Sequence, residues 1–74
     1  MDKKKIGKRL TKLREEKGQS KAFVAKALGL PYRTYCAYEY GERIPSDQNK
    51  ILLARYYGAP VESIFYADNN REKQ

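Results

Sequence analysis

Histidine and tryptophan are missing from this 74-residue chain, and cysteine and methionine occur once each. Without histidine, acid–base catalysis lacks its usual agent, and a single cysteine leaves a structural zinc site short of ligands. The lone Cys36 excludes an internal disulfide, which fits a reducing cytoplasm and argues against a small secreted scaffold. Long apolar runs are missing too. The longest, Ile51-Leu52-Leu53-Ala54, is far short of the roughly twenty residues that cross a bilayer. The N-terminus is basic but no apolar stretch follows it, so a signal peptide is not expected. Size sets a further bound. A chain this short buries only about 62% of its unfolded surface, enough for four or five short helices and not for a deep substrate cavity. Neither an enzyme nor a cofactor is expected.

Acidic residues are scarce as well, nine against sixteen Lys and Arg, for a formal net charge of +7. The excess is concentrated. Residues 1–26 hold ten Lys or Arg and three acids, whereas residues 27–74 hold six of each. A surface that attracts anions is thus confined to the first third of the chain. Adjacent Glu15-Glu16, with no histidine or metal partner, read as solvated helix surface and not as a catalytic pair.

Glycine and proline punctuate the rest. Gly18, Gly29, Gly41 and Gly58 each close a periodic stretch, and Pro31, Pro45 and Pro60 follow shortly after the last three. That is the pattern of helix ends and helix starts. It predicts five short helices and no strand. The first, about 3–17, aligns Ile6, Leu10 and Leu13 on one stripe amid basic residues. The second starts on Ser20 as N-cap and buries Val24, Ala25 and Leu28. The third, about 32–40, turns Tyr35 and Tyr38 inward, with Leu30 just before it directed at the same core. The fourth starts at Ser46 or Asp47 and runs to Tyr57, with Ile51, Leu53, Ala54 and Tyr57 as inward candidates. The last, about 61–66, supplies Val61, Ile64 and Phe65. Residues 1–66 form the one expected domain, and 67–74 read as a frayed tail.

The informative pattern lies in residues 21–40. Two helices crossing near a right angle need a tiny side chain at the crossing and a glycine of positive φ in the turn. Ala25 and Gly29 occupy those places. Val24, Leu28, Leu30, Tyr35 and Tyr38 are spaced to clamp both helices on the body, leaving the outer face of the second free to enter a DNA major groove. Here the chain resembles the lambda-repressor-like (Cro/CI or XRE type) helix-turn-helix regulators. The resemblance covers about residues 6–65. It runs from Ile6-Gly7-Lys8-Arg9-Leu10, Leu13-Arg14 and Ser20-Lys21 through Ala25, Leu28-Gly29, Tyr38-Glu39-Tyr40-Gly41 and Arg43. It continues in Pro45-Ser46, Leu53-Ala54, Gly58 and Val61-Glu62-Ser63-Ile64-Phe65, with no insertion.

The resemblance implies an all-α fold of five helices, dimeric binding to double-stranded operator DNA, and control of transcription in the cytoplasm, on the nucleoid. It assigns Tyr32, Arg33, Cys36 and Ala37 to base edges. Arg33 can pair its planar fork with guanine, worth about 1–3 kcal/mol of discrimination, and Cys36 or Ala37 can pack on a thymine methyl. Ser20 and Lys21 fall to phosphate, with Tyr40 and Arg43 after the recognition helix on the opposite phosphate run. Arg14 and Glu39 fall to a structural ion pair tying that helix to the body. The homodimer or partner surface is expected in the fourth-to-fifth helix region, at Leu52, Tyr56, Ile64 and Tyr66.

Four positions depart from the family pattern. Lys21 stands where glutamine is usual, Pro31 stands where the recognition helix commonly has a Ser or Thr cap, and Asp47 and Lys50 replace apolar residues. Phe23, Tyr32, Tyr40, Leu52 and Tyr56 look outward in the same register, and Cys36 reads as a small side chain on an exposed helix face. With only one basic residue on the recognition helix, a second function fits the same fold: an antirepressor or similar module that docks on a partner repressor. A membrane partner is not expected, because the stripe of the basic first helix lacks Trp and Phe and is needed for the core.

Overall fold

The computed structural model describes residues 1–67, so the expected tail lies almost wholly outside the described residues. Five helices follow in order: α1 (Lys3–Glu16), α2 (Lys21–Leu28), α3 (Tyr32–Tyr40), α4 (Asp47–Tyr57) and α5 (Val61–Phe65). Among the described residues there is no strand, as the punctuation predicts.

Short polar side chains start three of the helices. Asp2 accepts from the Lys4 and Lys5 amides at 3.0 and 3.2 Å. Ser20 Oγ accepts from Phe23 N at 3.0 Å and Ser46 Oγ from Asn49 N at 3.2 Å. Such caps are worth about 1 kcal/mol each. Helices α3 and α5 begin instead behind Pro31 and Pro60, with no side-chain cap. Between α2 and α3, Gly29 takes φ +72°. That lets Leu30 N reach back to Ala25 O at 2.9 Å and turns the chain sharply.

One core holds all five helices: Ile6 and Leu10 of α1, Val24 and Ala25 of α2, Tyr35 and Tyr38 of α3, Leu53 and Ala54 of α4, Ile64 and Phe65 of α5. Two expectations fail here. Ile51 is 49% exposed, because the core-facing positions of α4 are 50, 53, 54 and 57 and Ile51 lies roughly 100° round the helix from the middle of that arc, on its flank. Its place facing inward is taken by Lys50, which buries its stem and sends its ammonium to the Tyr66 hydroxyl (3.0 Å) and to Asp47 (3.6 Å). Ile64, expected on a partner surface, is 1% exposed and belongs to the core. Arg9 fastens α5 over α1, donating to the Ile64 carbonyl at 2.8 Å.

The tightest contact joins α1 to α3. A Cβ on Gly7 would lie 2.3 Å from the Glu39 carbonyl oxygen, so the two backbones meet there with no room for a side chain. Just beyond, Lys4 Nζ donates to the Tyr40 carbonyl at 3.2 Å. A cation at the C-terminal end of α3 is electrostatically well placed.

Candidate nucleic-acid interface

Helix α3 is sorted lengthwise by what its side chains touch. Tyr35 and Tyr38 point into the core, and Asn49 of α4 donates to the Tyr38 hydroxyl at 3.0 Å. Glu39 is the centre of a polar cluster between α1, α3 and α4. It accepts from Arg14 Nε at 2.7 Å, from the second Arg14 nitrogen at 3.1 Å and from Thr11 at 2.9 Å. The Tyr35 hydroxyl donates to the same carboxylate and shares a 2.6 Å bond with the Tyr57 hydroxyl. Arg14 donates its remaining fork nitrogen to the Gln19 carbonyl at 2.9 Å. The expected Arg14–Glu39 pair is therefore present, and it is larger than expected.

Charge in this cluster is set by competition. Burial opposes ionising Glu39, but the hydrogen bonds from Arg14, Tyr35 and Thr11 outweigh it and hold its carboxyl below the ordinary range. The Arg14 guanidinium is correspondingly raised by its bond to Glu39. Burial and the bond to Glu39 push the Tyr35 phenol far above its usual value, and burial takes Tyr57 up to about 12. The sign for Glu39 is that of a depressed carboxylate. Its contribution to stability is present above the unfolded glutamate value and is lost as pH falls through the lower folded value. Melting temperature should thus fall on acidification below about pH 4.5, and Glu39→Gln should flatten that part of the profile while lowering the neutral plateau. Circular dichroism melts between pH 7 and pH 3 check this.

The opposite side of α3 faces solvent and forms a shallow groove of about 470 Å³ lined by Tyr32, Arg33, Cys36, Ala37, Tyr40, Glu42 and Arg43. All four residues assigned to base edges line it, but not in the same way. Tyr32 is 56% exposed and stands at the rim. Cys36 and Ala37 are buried, at 7% and 9% exposure, so the expected exposed position of Cys36 is corrected. These small side chains line the groove together with the larger Tyr32 and Tyr40 of the same helix. The nearby Cys36 thiol pushes the Tyr32 phenol above its ordinary value.

The expected phosphate residues are rearranged. Ser20 is exposed, with its Oγ engaged as the α2 cap. Tyr40 is the last residue of α3 and not part of the following loop. Nor is it apart from Lys21: Lys21 Nζ donates to the Tyr40 hydroxyl at 2.9 Å and lies 4.6 Å from the centre of its ring. That bond keeps the ammonium above the ordinary lysine range. Two residues expected on separate phosphate runs thus meet at one point. Arg43 lines the groove with Tyr40.

The sharp turn, the clamped α2 and the α3 with one face bound and one face free match a known family model, described as helix-turn-helix, over residues 10–64. The chain belongs to the helix-turn-helix family. It is 36% identical over 66 residues to the HTH-type transcriptional regulator AnsR of Bacillus subtilis, covering 89% of this chain and 53% of that protein. It is 35% identical over 52 residues to the cryptic phage CTXphi transcriptional repressor RstR of Vibrio cholerae, covering 70% of this chain and 47% of the repressor. The chain therefore spans about half the length of the curated relatives it matches. No solved structure gives a significant match.

Within this helix-turn-helix chain the expected partner surface is only partly available. Leu52 is exposed, whereas Tyr56 is half-buried, donating to Gln19 and standing edge-on to Tyr57 at 5.1 Å. Tyr66 is half-buried against Lys50. Among the described residues no His, Cys, Asp and Glu cluster could hold a metal, and no helix is long and apolar enough to cross a membrane. Sequence reasoning did not foresee the structural weight of Gly7, Lys4, Thr11 or Tyr57. A glycine in the middle of an otherwise good helix was the one available signal.

Proposed function

We propose that the chain is a sequence-specific DNA-binding transcriptional regulator that places α3 in the major groove of a double-stranded operator. One observation carries this reading. The inner side of α3 is bonded to the body through Glu39, while its outer side offers Tyr32 and Arg33 between cations at Lys21 and Arg43. Among the described residues Arg33 has no hydrogen bond or ion pair, so its fork is free for a base edge. The names of the relatives, a transcriptional regulator and a phage repressor, support the same reading. Basic α1 and the start of α2 supply attraction to phosphate, and the nearly neutral α3 supplies selectivity.

A homodimer completes the proposal. One α3 reads few base pairs, and two copies would address half-sites about one helical turn apart. Exposed Leu52 and Ile51 on the outside of α4 are the apolar residues available for a seam.

The test is affinity for duplexes, starting with DNA flanking its own coding region, measured as salt is raised. Affinity should fall by orders of magnitude between roughly 50 and 200 mM salt. Arg33→Ala should remove preference at one base pair, roughly tenfold or more, while non-specific binding is retained. No binding of any duplex at low salt would end this reading. Co-purification with a repressor, lost on changing Tyr32, would replace it with the protein-docking one.

A further inference from the structure

We propose that Lys21 and Tyr40 form a single composite donor site for one DNA phosphodiester, in which the lysine sets the direction of the tyrosine's proton. The inference rests on the DNA-binding reading and adds to it which groups hold the phosphate and how.

The argument is one of hydrogen-bond polarity. An ammonium has three donors and no acceptor, so in the 2.9 Å contact Lys21 Nζ must donate and the Tyr40 oxygen must accept. The phenolic proton is left to donate elsewhere. Among the described residues nothing accepts it, and nothing accepts the other two Lys21 protons. Tyr40 is 52% exposed, so these unused donors emerge together into solvent. A phosphodiester offers two non-bridging oxygens on one anion, which suits an ammonium and a hydroxyl side by side. Accepting a bond from a cation also polarises the phenol and makes it a stronger donor.

The pair is pre-set and not merely adjacent. Lys21 lies 4.6 Å over the Tyr40 ring, a contact that holds the long lysine side chain in place. Tyr40 is itself fixed from behind by Lys4 Nζ on its carbonyl at 3.2 Å, and α2 is fixed at this end by the Ser20 cap. Positions nineteen residues apart, one opening α2 and one ending α3, are thereby made into one site. The site also accounts for lysine at a place where the resembling family carries glutamine. A glutamine amide can bridge alone, as donor and acceptor; lysine cannot, and Tyr40 supplies the complementary oxygen.

The experiment is a double-mutant cycle with Tyr40→Phe, Lys21→Ala and the double variant, measured on specific and random duplexes over a salt series. Tyr40→Phe keeps the ring and should weaken binding to every sequence about tenfold without altering the salt slope. Lys21→Ala should weaken all sequences and reduce the slope by about one. The double variant should be little worse than Lys21→Ala alone, because the two act as a unit. A duplex with one uncharged methylphosphonate at the contacted position should bind wild type about as weakly as Lys21→Ala binds the natural duplex, and Lys21→Ala should scarcely notice the change. Thermal melts of Tyr40→Phe should match wild type. If Tyr40→Phe binds as wild type, or the two losses simply multiply, the composite site is wrong while the DNA-binding reading stands. If wild type binds no duplex, both fall.

Discussion

Gly7→Ala is expected to destabilise the fold by about 2–3 kcal/mol, even though alanine is the better helix former. In an open helix the exchange would stabilise by about 1 kcal/mol. Here the new methyl would sit 2.3 Å from the Glu39 carbonyl oxygen, 2.9 Å from its carbon and 3.0 Å from the Tyr38 carbonyl oxygen. All three are backbone atoms, so no rotamer change relieves the clash. The helices must part, and Ile6 and Leu10 lose their fit against Tyr35 and Tyr38. Overpacking of a tight interior typically costs about 1–3 kcal/mol, and a rigid neighbour puts this case at the upper end. For a chain of this size that is a fall in Tm of about 10–20 °C. Gly18→Ala makes a useful control. Its φ is +67° and its Cβ would touch nothing within 4 Å, so its loss should be the conformational penalty of about 1–2 kcal/mol. A Gly7→Ala protein that melts at or above the wild-type temperature would show that α1 and α3 are not in backbone contact.

A second large effect is expected at Glu39. Its side chain is 2% exposed beside an Arg14 side chain at 12%. Glu39→Ala removes acceptors from Arg14, Thr11 and Tyr35 together and leaves a buried guanidinium with only the Gln19 carbonyl. Breaking a buried pair in this way costs about 3–5 kcal/mol. In a domain whose total stability is on the order of 5–15 kcal/mol, that loss approaches unfolding. Replacing both partners, as Arg14→Met with Glu39→Met, should recover much of it, because no uncompensated charge remains. Urea unfolding at pH 7 of the single and double variants tests this. A double variant less stable than Glu39→Ala would place the value of the pair in its attraction and not in avoiding a stranded charge.

Backbone organisation was largely legible from local chemistry. Glycine at the helix ends, proline after the turns and serine at the caps are instructions carried by single residues, and all five helices lie where they indicate. The Arg14–Glu39 pair was legible through the family resemblance. What escaped depends on where side-chain ends meet. Ile51 was expected inward beside Leu53 and Ala54, but the core-facing arc of α4 is centred nearer Lys50 and leaves Ile51 on its exposed flank. Lys50 took the inward place by burying its stem, which a simple apolar-versus-charged reading cannot anticipate. Cys36 was expected to be exposed as a small side chain on an outer helix face, yet it is buried in the groove between larger residues that line it. The meeting of Lys21 with Tyr40, and of Tyr35 with Tyr57, joins residues about twenty positions apart, and no local pattern encodes such a pairing.

The lengthwise sorting of α3 has a consequence for change over time. Of its nine residues, Tyr35, Tyr38 and Glu39 mount the helix, whereas Tyr32 and Arg33 at the groove form no hydrogen bond to another helix among the described residues. On the DNA-binding proposal, substitutions at the rim would therefore rewrite what the helix recognises without disturbing how it is held. Variants with altered targets should be obtainable from a few positions at little expense in stability, and new specificity could arise in single steps.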